Sequence, residues 1–525
     1  MKKLQADVVV IGGGSTGVGV VRDVAMRGYS TILVERADLG QGTTSRFHGL
    51  LHSGGRYVVS DPISARECAE ENAILRKIQA HAVEPTGGFF VSLKGDDPEF
   101  PDKFVAGAAE ANMPCHEISP EEALHREPRL NPNLNRVFEV EDGSVDGWQL
   151  VWTAARSAEM YGAKILTYTK VTGLEKEGDR VSAVIAEDRK TGETISIETD
   201  FVLNCAGPWA GQIADMAGCH PVEVIPGRGI MIAMNHRLVN TVINRCITPA
   251  DGDILVPAHT VSIIGTTDVK VDDPDKLEIP ENEVQQMLDA GEELVPGFRQ
   301  ARAVHAWVGA RPLIKDDRVD SSDTRHMSRG MAVLDHEQRD GIKGLMTIGG
   351  GKLTTYRLMA EHIVDAMERV TGNQHPCRTA EEPVPGSEDK RLYSVRHRLE
   401  HREENWQADQ VLCECEQIST SDLEREIQEG PENPSMDDLR RRLRIGMGPC
   451  QGGICANRFA GAICNKGYAD ADGATALLQR FLRNRWIGLW PLIYGQQVRQ
   501  TALDYWMTSG TLDVNHLPAP EKVVL

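Results

Sequence analysis

Four cysteines near the C-terminal end of the chain are spaced Cys413-x-Cys415, thirty-four residues, Cys450-x4-Cys455. Thiolates in such a set suit an iron-sulfur cluster or zinc. Typical zinc sites use Cys-x2-Cys pairs, so spacings of one and four favour a [2Fe-2S] centre, with zinc and inert packing as the alternatives. At the other end, Gly12-Gly13-Gly14-Ser15-Thr16-Gly17 follows the β-branched run Ala6–Ile11, the pattern of a dinucleotide-binding turn. A flavin moves two electrons and an iron-sulfur cluster moves one. A polypeptide holding both is expected to take hydride from a reduced substrate and to pass electrons on singly.

These groups need elements to hold them. Ala6–Ile11 reads as a buried strand, the glycines as its turn, and Val18 to Gly28 as a helix. Gly12 permits the tight turn, Gly14 lets the backbone approach a pyrophosphate, and Gly17 lets the helix pack on the strand, with the helix N-terminus facing the phosphates. Thr31–Val34 is a second strand ending at Glu35, whose carboxylate would hold ribose hydroxyls. This fingerprint fits NAD as well as FAD. Phe201–Cys205 breaks at Ala206-Gly207, and Gly344–Ile348 breaks at Gly349-Gly350-Gly351-Lys352, before a helix beginning near Leu353. A helix N-terminus there would stabilise an anionic reduced ring through its dipole and free amides. Three glycine-marked strand ends converging on one long ligand favour FAD, with adenine beside Val171.

Composition narrows the class. A chain of 525 residues suggests two to four domains. The net charge of −20 argues against a nucleic-acid binder. No apolar run approaches the ~20 residues needed to span a bilayer, and Asp7 makes the first apolar stretch a buried strand rather than a signal peptide. Eleven cysteines without an export signal point to a reducing compartment. The seven outside the cluster show no ligand spacing and are expected to pack.

The runs Thr43–Tyr57 (TTSRFHGLLHSGGRY), Ile264–Asp268, Gly309–Leu313 and Gly350–Arg357 together resemble the FAD-dependent glycerol-3-phosphate dehydrogenases. Cys413–Cys415 and Arg440–Cys455 resemble the ferredoxin-like [2Fe-2S] domain of that family's anaerobic branch, its A subunits. The resemblance covers nearly the whole chain. It implies FAD contacts from Gly12, Gly14, Thr16, Gly17, Glu35, Arg36, Thr44, Ser45, Gly49, Leu51, Val171, Ala206, Gly207, Gly351, Lys352, Leu353 and Thr354. Cluster ligation is expected from Cys413, Cys415, Cys450 and Cys455, with Arg440, Arg441, Arg442 and Arg444 offsetting its negative charge.

The implied substrate, glycerol 3-phosphate, is a dianion on a short polyol and needs fixed cations. The resemblance places Arg56, Tyr57, Arg311, Arg329 and Lys352 around it, Arg56 and Arg311 also serving the chemistry. A base must take the hydroxyl proton, and histidine is the natural candidate. His52 is the first choice, with His48, His259 and His305 as alternatives. Homodimeric relatives often carry Lys-Gly-Ser-His where this chain has Arg228-Gly-Ile-Met231, so a base at that place is not carried over, and Arg228 is left as an electrostatic aid.

The expected architecture is α/β. A Rossmann-type FAD-binding domain with an inserted antiparallel-sheet substrate domain (roughly 220–340) occupies 1–385. A linker at 386–409, a small mostly helical [2Fe-2S] domain at 410–465 and a helical segment at 466–525 follow. Between Gly55 and Val151, Ser64–Gln79 and Pro120–His125 read as helices. The aromatic stretch Trp486–Tyr494 is read as cover for the flavin domain's core or as a docking surface. The expected activity is oxidation of glycerol 3-phosphate to dihydroxyacetone phosphate, with electrons leaving through the cluster. The alternatives are an FAD oxidase of another small 2-hydroxy acid or amine, and a non-catalytic electron-relay scaffold. The family implies partner redox subunits including a membrane anchor, quinone as final acceptor, and a cytoplasmic location peripheral to the membrane.

Overall fold

The computed structural model describes residues 1–314, 330–405, 409–430 and 434–511, with Asp513 and His516. The first strand, Lys2–Ile11, lies between Thr31–Val34 and Thr194–Asn204, parallel to both. Val8–Ile11 is buried on both faces, which is why its sequence is continuously apolar rather than alternating. Leu345–Gly350 adds a parallel strand beyond Thr194–Asn204, and Lys164–Leu166 one beyond Thr31–Val34. The antiparallel strands Thr169–Glu177, Arg180–Asp188 and Met331–Asp335 complete an eight-stranded sheet.

Helix Ser15–Met26 covers one face of this sheet and packs against helices Gly147–Met160 and Tyr356–Thr371. Gly19 permits the close approach, because a Cβ there would lie 2.9 Å from the Tyr356 ring. Gly17 is tighter still: its Cβ would sit 1.8 Å from the Gly12 carbonyl oxygen. The opposite face is closed by the hairpin 169–188 and helix Ala210–Met216.

A nine-stranded sheet forms the second lobe, with Val224–Met234 pairing Ala303–Ile314 along its length. The sequence places this sheet within 220–340, but Gly88–Leu93, Cys115–Ile118 and Leu134–Val140 supply three of its strands. Gly88–Leu93 is wholly buried, and a short apolar run of that kind carries no period that separates strand from helix. It also pairs in parallel with Val242–Arg245, so the sheet is mixed rather than purely antiparallel.

The cysteine module starts with a two-stranded ribbon, Val411–Cys413 and Ile418–Ser419. Ser419 and Ser435 cap helices Thr420–Glu429 and Met436–Leu443, each in a capping box with the aspartate three residues on. This excursion returns the chain to Cys450–Cys455 and helix Cys455–Asn465. Within the expected linker, residues 386–405 are not an open tether: Ser387 is buried against His81, Tyr393 stacks on His259 at 4.1 Å, and Val395–Asn405 is a helix. The last long helix, Ala471–Leu489, packs on strand Ala303–Ile314, and Leu492 joins the core of the second sheet. From the aromatic stretch, Leu492 and Tyr494 thus pack on the sheet lobe rather than on the core of the dinucleotide lobe, while Trp486, Ile487 and Trp490 stay exposed.

Candidate active site

One cavity of about 1040 Å³ runs between the two lobes and reaches the cysteine module. Its first end is the glycine turn. Helix Ser15–Met26 begins at Gly14, which supplies no side-chain cap; the Ser15 amide donates to the Thr44 hydroxyl at 2.9 Å, and the later first-turn amides face a ligand. Glu35, buried beside them, accepts from the Gly13 amide at 2.7 Å and the Ala37 amide at 2.9 Å; burial pushes its carboxyl up against these donors. Gly207 has φ +54° and nothing within 4 Å of where a Cβ would stand, so a side chain there would enter the cavity.

Most sequence-assigned cofactor residues face this space: Gly12, Gly14, Thr16, Glu35, Arg36, Thr44, Ser45, Gly49, Val171, Ala206, Gly207, Gly351, Lys352 and Leu353 all line it. Arg36 lies over the Trp209 ring at 4.0 Å, and both side chains bind Asp275. Three assigned residues do not line the cavity. Gly17 serves helix packing, Leu51 belongs to the hydrophobic core, and Thr354 is buried with its hydroxyl accepting from the His52 amide. The helix after Gly351 begins at Tyr356, three residues beyond the expected start, after a turn in which the Thr355 amide donates to the Lys352 carbonyl.

The middle of the cavity gathers His48, His52, Tyr57, Arg311 and Lys352. Arg311 is held by Asp268 at 3.0 Å and by the Thr267 carbonyl at 3.1 Å. Lys352 Nζ is buried over the Tyr57 ring at 5.1 Å and, among the described residues, has no hydrogen-bond partner. An unpaired buried ammonium is unfavourable without an incoming anion. The His52 ring lies 5.5 Å from that of Tyr57 and 6.1 Å from that of His48, centroid to centroid.

The other candidate bases have different surroundings. Burial, then Arg56 and Arg311, push the His48 imidazole down to about 3, and its Nδ1 accepts from the Leu50 amide. His259 is bound to Glu416 and stacked on Tyr393 at the module junction. His305 stacks on Trp307 beneath Gly488, held down to about 3 by burial and then by Arg440 and Arg485. Arg56 does not line the cavity: it lies behind His48, bound to Asp253 at 2.6 Å. Arg228 is spent on Glu283, and Arg329 lies outside the described residues.

At the far end the four cysteines meet. Cys413 and Cys450 are held below the usual thiol range by hydrogen bonds from Cys455 and Cys415, whose own thiols are pushed up in return. Amides of Glu416 and Gly446 donate to the Cys413 sulfur, and those of Gly452 and Ile454 to Cys450. Among the described residues, no three of these sulfurs lie within 4.8 Å of one another.

The neighbouring arginines mostly do something other than offset cluster charge. Arg441 and Arg442 bind Asp38 of the dinucleotide lobe at 3.1 and 3.5 Å, and Arg442 lies over the Trp152 ring at 3.6 Å. Arg444 joins Glu416 at 3.1 Å to Asp146 at 3.3 Å. These are docking clamps, in which removal of one partner typically costs about 3–5 kcal/mol. Arg440 lies 3.8 Å from Asp437 and also feels Cys455. Met447, Gln451, Arg440 and Ile487 line the cavity at this end, joined by Trp148 and Trp307 from the two lobes. Sequence reasoning missed Trp148, Trp307, Met447, Gln451 and Ile487 as cavity residues, and none carries a local motif.

Residues 7–365 match the family model for FAD dependent oxidoreductases. The chain is 40% identical to the A subunit of the anaerobic glycerol-3-phosphate dehydrogenase of Escherichia coli strain K12, over 96% of each chain. It is also 40% identical to the A1 subunit of the anaerobic glycerol-3-phosphate dehydrogenase of Haloferax volcanii, over 99% of this chain and 92% of that one. The fold resembles the FAD-complexed glycerol-3-phosphate dehydrogenase structure from Bacillus halodurans, with a TM-score of 0.64 at 22% identity, over 94% of this chain and 96% of that one.

Proposed function

Because the chain belongs to the FAD-dependent oxidoreductases and, among them, to the anaerobic glycerol-3-phosphate dehydrogenase A subunits, we propose that it oxidises sn-glycerol 3-phosphate to dihydroxyacetone phosphate and sends the electrons out through a [2Fe-2S] centre. The observation that carries this reading is the single cavity that joins an uncapped dinucleotide turn, an unpaired buried lysine and the cysteine module.

FAD, held along Gly12–Thr16, Glu35, Thr44–Ser45, Ala206–Gly207 and Gly351–Leu353, would supply the two-electron acceptor. Lys352 and Arg311 bind the phosphate: Lys352 gains the hydrogen-bond partner it lacks, and Asp268 keeps the Arg311 guanidinium oriented. His52 takes the proton from the C2 hydroxyl. It is preferred over His48 and His305, whose depressed basicity makes them poor acceptors, and over His259, which is bound to Glu416. Trp307 and Phe47 help to wall the cavity from water, the indole N–H donating to the Phe47 carbonyl at 3.3 Å.

A [2Fe-2S] cluster on Cys413, Cys415, Cys450 and Cys455 would supply the one-electron acceptor. Amide donors on two sulfurs favour the thiolate forms. The spacing of one and four residues, unlike the Cys-x2-Cys pairs of typical zinc sites, supports the cluster over zinc. The relatives are named as A subunits, which supports a complex with further redox subunits. In this reading those subunits include a membrane anchor and deliver electrons to quinone at the cytoplasmic face. No helix among the described residues is long and apolar enough to cross a membrane, so attachment would fall to the partners.

Anaerobic titration with glycerol 3-phosphate, following flavin and cluster absorbance together, tests the reading. Bleaching of both bands is expected. Flavin bleaching with fast peroxide formation in air would favour an oxidase, and no bleaching would leave an electron-relay scaffold.

A further inference from the structure

We propose that the exposed aromatic face formed by the two C-terminal helices, Ala471–Leu489 and Gln496–Tyr505, and by the turns that follow them, Trp490–Leu492 and Trp506–Thr511, docks a protein electron acceptor whose contact surface is apolar at its centre and edged with carboxylates. This rests on the proposed function, since it names where electrons leave the cysteine module.

The face is apolar beyond what a free surface ordinarily carries. Of nineteen large hydrophobic side chains exposed among the described residues, ten fall between Ile454 and Met507. Ile487, Trp490 and Trp506 are 71%, 72% and 65% exposed. Single exposed apolar residues are common on soluble proteins, whereas a concentration of them marks an interaction site. Trp486 and Tyr505 line one shallow groove between the two helices, with Leu482 and Arg483. Trp and Tyr with Arg is the composition of interface hot spots.

Its position ties it to the redox path. Asn484, Ile487 and Gly488 line the outer end of the main cavity beside Arg440, while Trp486 on the same helix and Trp490 in the turn that follows it, rings 6.4 Å apart, are exposed. The loop Cys450–Cys455 touches the second helix: a Cβ on Gly453 would lie 3.2 Å from the Asp504 carboxylate. Ile454, next to Cys455, is half exposed. A body seated on this face is thereby brought against the cysteine loop, which a one-electron acceptor needs because tunnelling falls steeply with distance.

Charge argues for the partner's chemistry. The chain carries −20, yet residues 480–507 hold Arg480, Arg483, Arg485 and Arg499 against Asp504 alone; Arg480 is paired with Asp437 at 3.3 Å and Arg485 with Asp504 at 2.6 Å, which leaves Arg483 and Arg499. Arg483 and Arg499 stand exposed on the rim of the face. A cationic rim on an acidic protein selects an acidic counterpart and steers its approach. The face is grooved rather than flat and abuts a redox loop, so a folded acceptor protein suits it better than a lipid plane.

The test uses the full chain carrying Trp490→Glu and Trp506→Glu, co-expressed with the companion redox subunits from the same genome. FAD and iron content, and glycerol-3-phosphate-driven reduction of ferricyanide by the purified chain, are expected within twofold of the unaltered protein. Association with the companions is expected to weaken at least a hundredfold by size exclusion and titration. A second variant, Arg483→Glu with Arg499→Glu, is expected to weaken association most at low salt. Companion binding at unaltered affinity in both variants would overturn the proposal. So would a dimer of the unaltered chain alone, by light scattering, that the tryptophan variant abolishes, or binding of the unaltered chain but not that variant to phosphatidylglycerol vesicles. If the dehydrogenase reading itself fails, the unaltered chain does not reduce ferricyanide, which is scored separately from association.

Discussion

Lys352→Met removes a positive charge while breaking no hydrogen bond among the described residues, so it separates binding from folding. The ammonium is buried over Tyr57 at 5.1 Å, with the Glu67 carboxyl within its field but not bonded to it, and burying an ion without a hydrogen-bonded partner is unfavourable. Methionine is close in length and volume and brings no polar group. The substrate-free variant is therefore expected to be at least as stable as the unaltered protein. Substrate binding should move the other way. A charge-assisted hydrogen bond to phosphate is worth about 1.5–3 kcal/mol, which corresponds to a loss of about 10- to 150-fold in affinity. Anaerobic titration of flavin bleaching measures the affinity, thermal unfolding measures the stability, and extracted FAD per chain shows whether the cofactor is kept. Affinity within threefold of the unaltered protein, with FAD retained, would refute the assignment. Loss of FAD would move Lys352 from the phosphate to the cofactor, and a clear fall in unfolding temperature would reveal a partner for its amine.

Arg311→Ala is expected to weaken substrate binding by about 10- to 150-fold with FAD retained, and to lower stability, because Asp268 gives up its 3.0 Å ion pair. Adding Asp268→Asn should recover stability but not affinity; recovery of both would make Arg311 structural. Cys455→Ser should take iron from two per chain to near zero while flavin bleaching by substrate persists, and unchanged iron by elemental analysis would exclude Cys455 as a ligand. The folded chain holds His305 and His48 down to about 3, against an ordinary value near ~6.5. Below that ordinary value the unfolded chain takes up protons that the folded chain refuses, so stability should fall as pH drops from about 6.5 toward 3. His305→Gln should flatten this decline in unfolding temperature, and an unchanged slope would show that His305 titrates normally.

What was legible in the sequence was chemistry confined to one element or one turn. The glycine turn, Glu35 at the end of the second strand, Ser419 as a helix cap and the glycine breaks at Gly207 and Gly351 each depend on residues a few positions apart. Backbone sterics and local hydrogen bonding decide such features before the chain packs. The four-cysteine spacing was equally plain, and with it the expectation of a metal centre.

Only the tertiary structure decided what those pieces face. Arg440, Arg441, Arg442 and Arg444 are near neighbours in the chain, yet one lies by Asp437 and feels Cys455 while the others bind Asp38, Glu426, Glu416 and Asp146. Arg56 stands in a motif with His52 but lies behind His48 on Asp253, and Gly88–Leu93 joins a sheet whose other strands come mostly from beyond residue 220. The reason is common to all of them. A side chain's partner, its burial and the basicity that follows are set by groups brought together only when separate cores pack, across up to some four hundred residues between Asp38 and Arg441, and nothing in the local spacing records which of several possible neighbours will arrive.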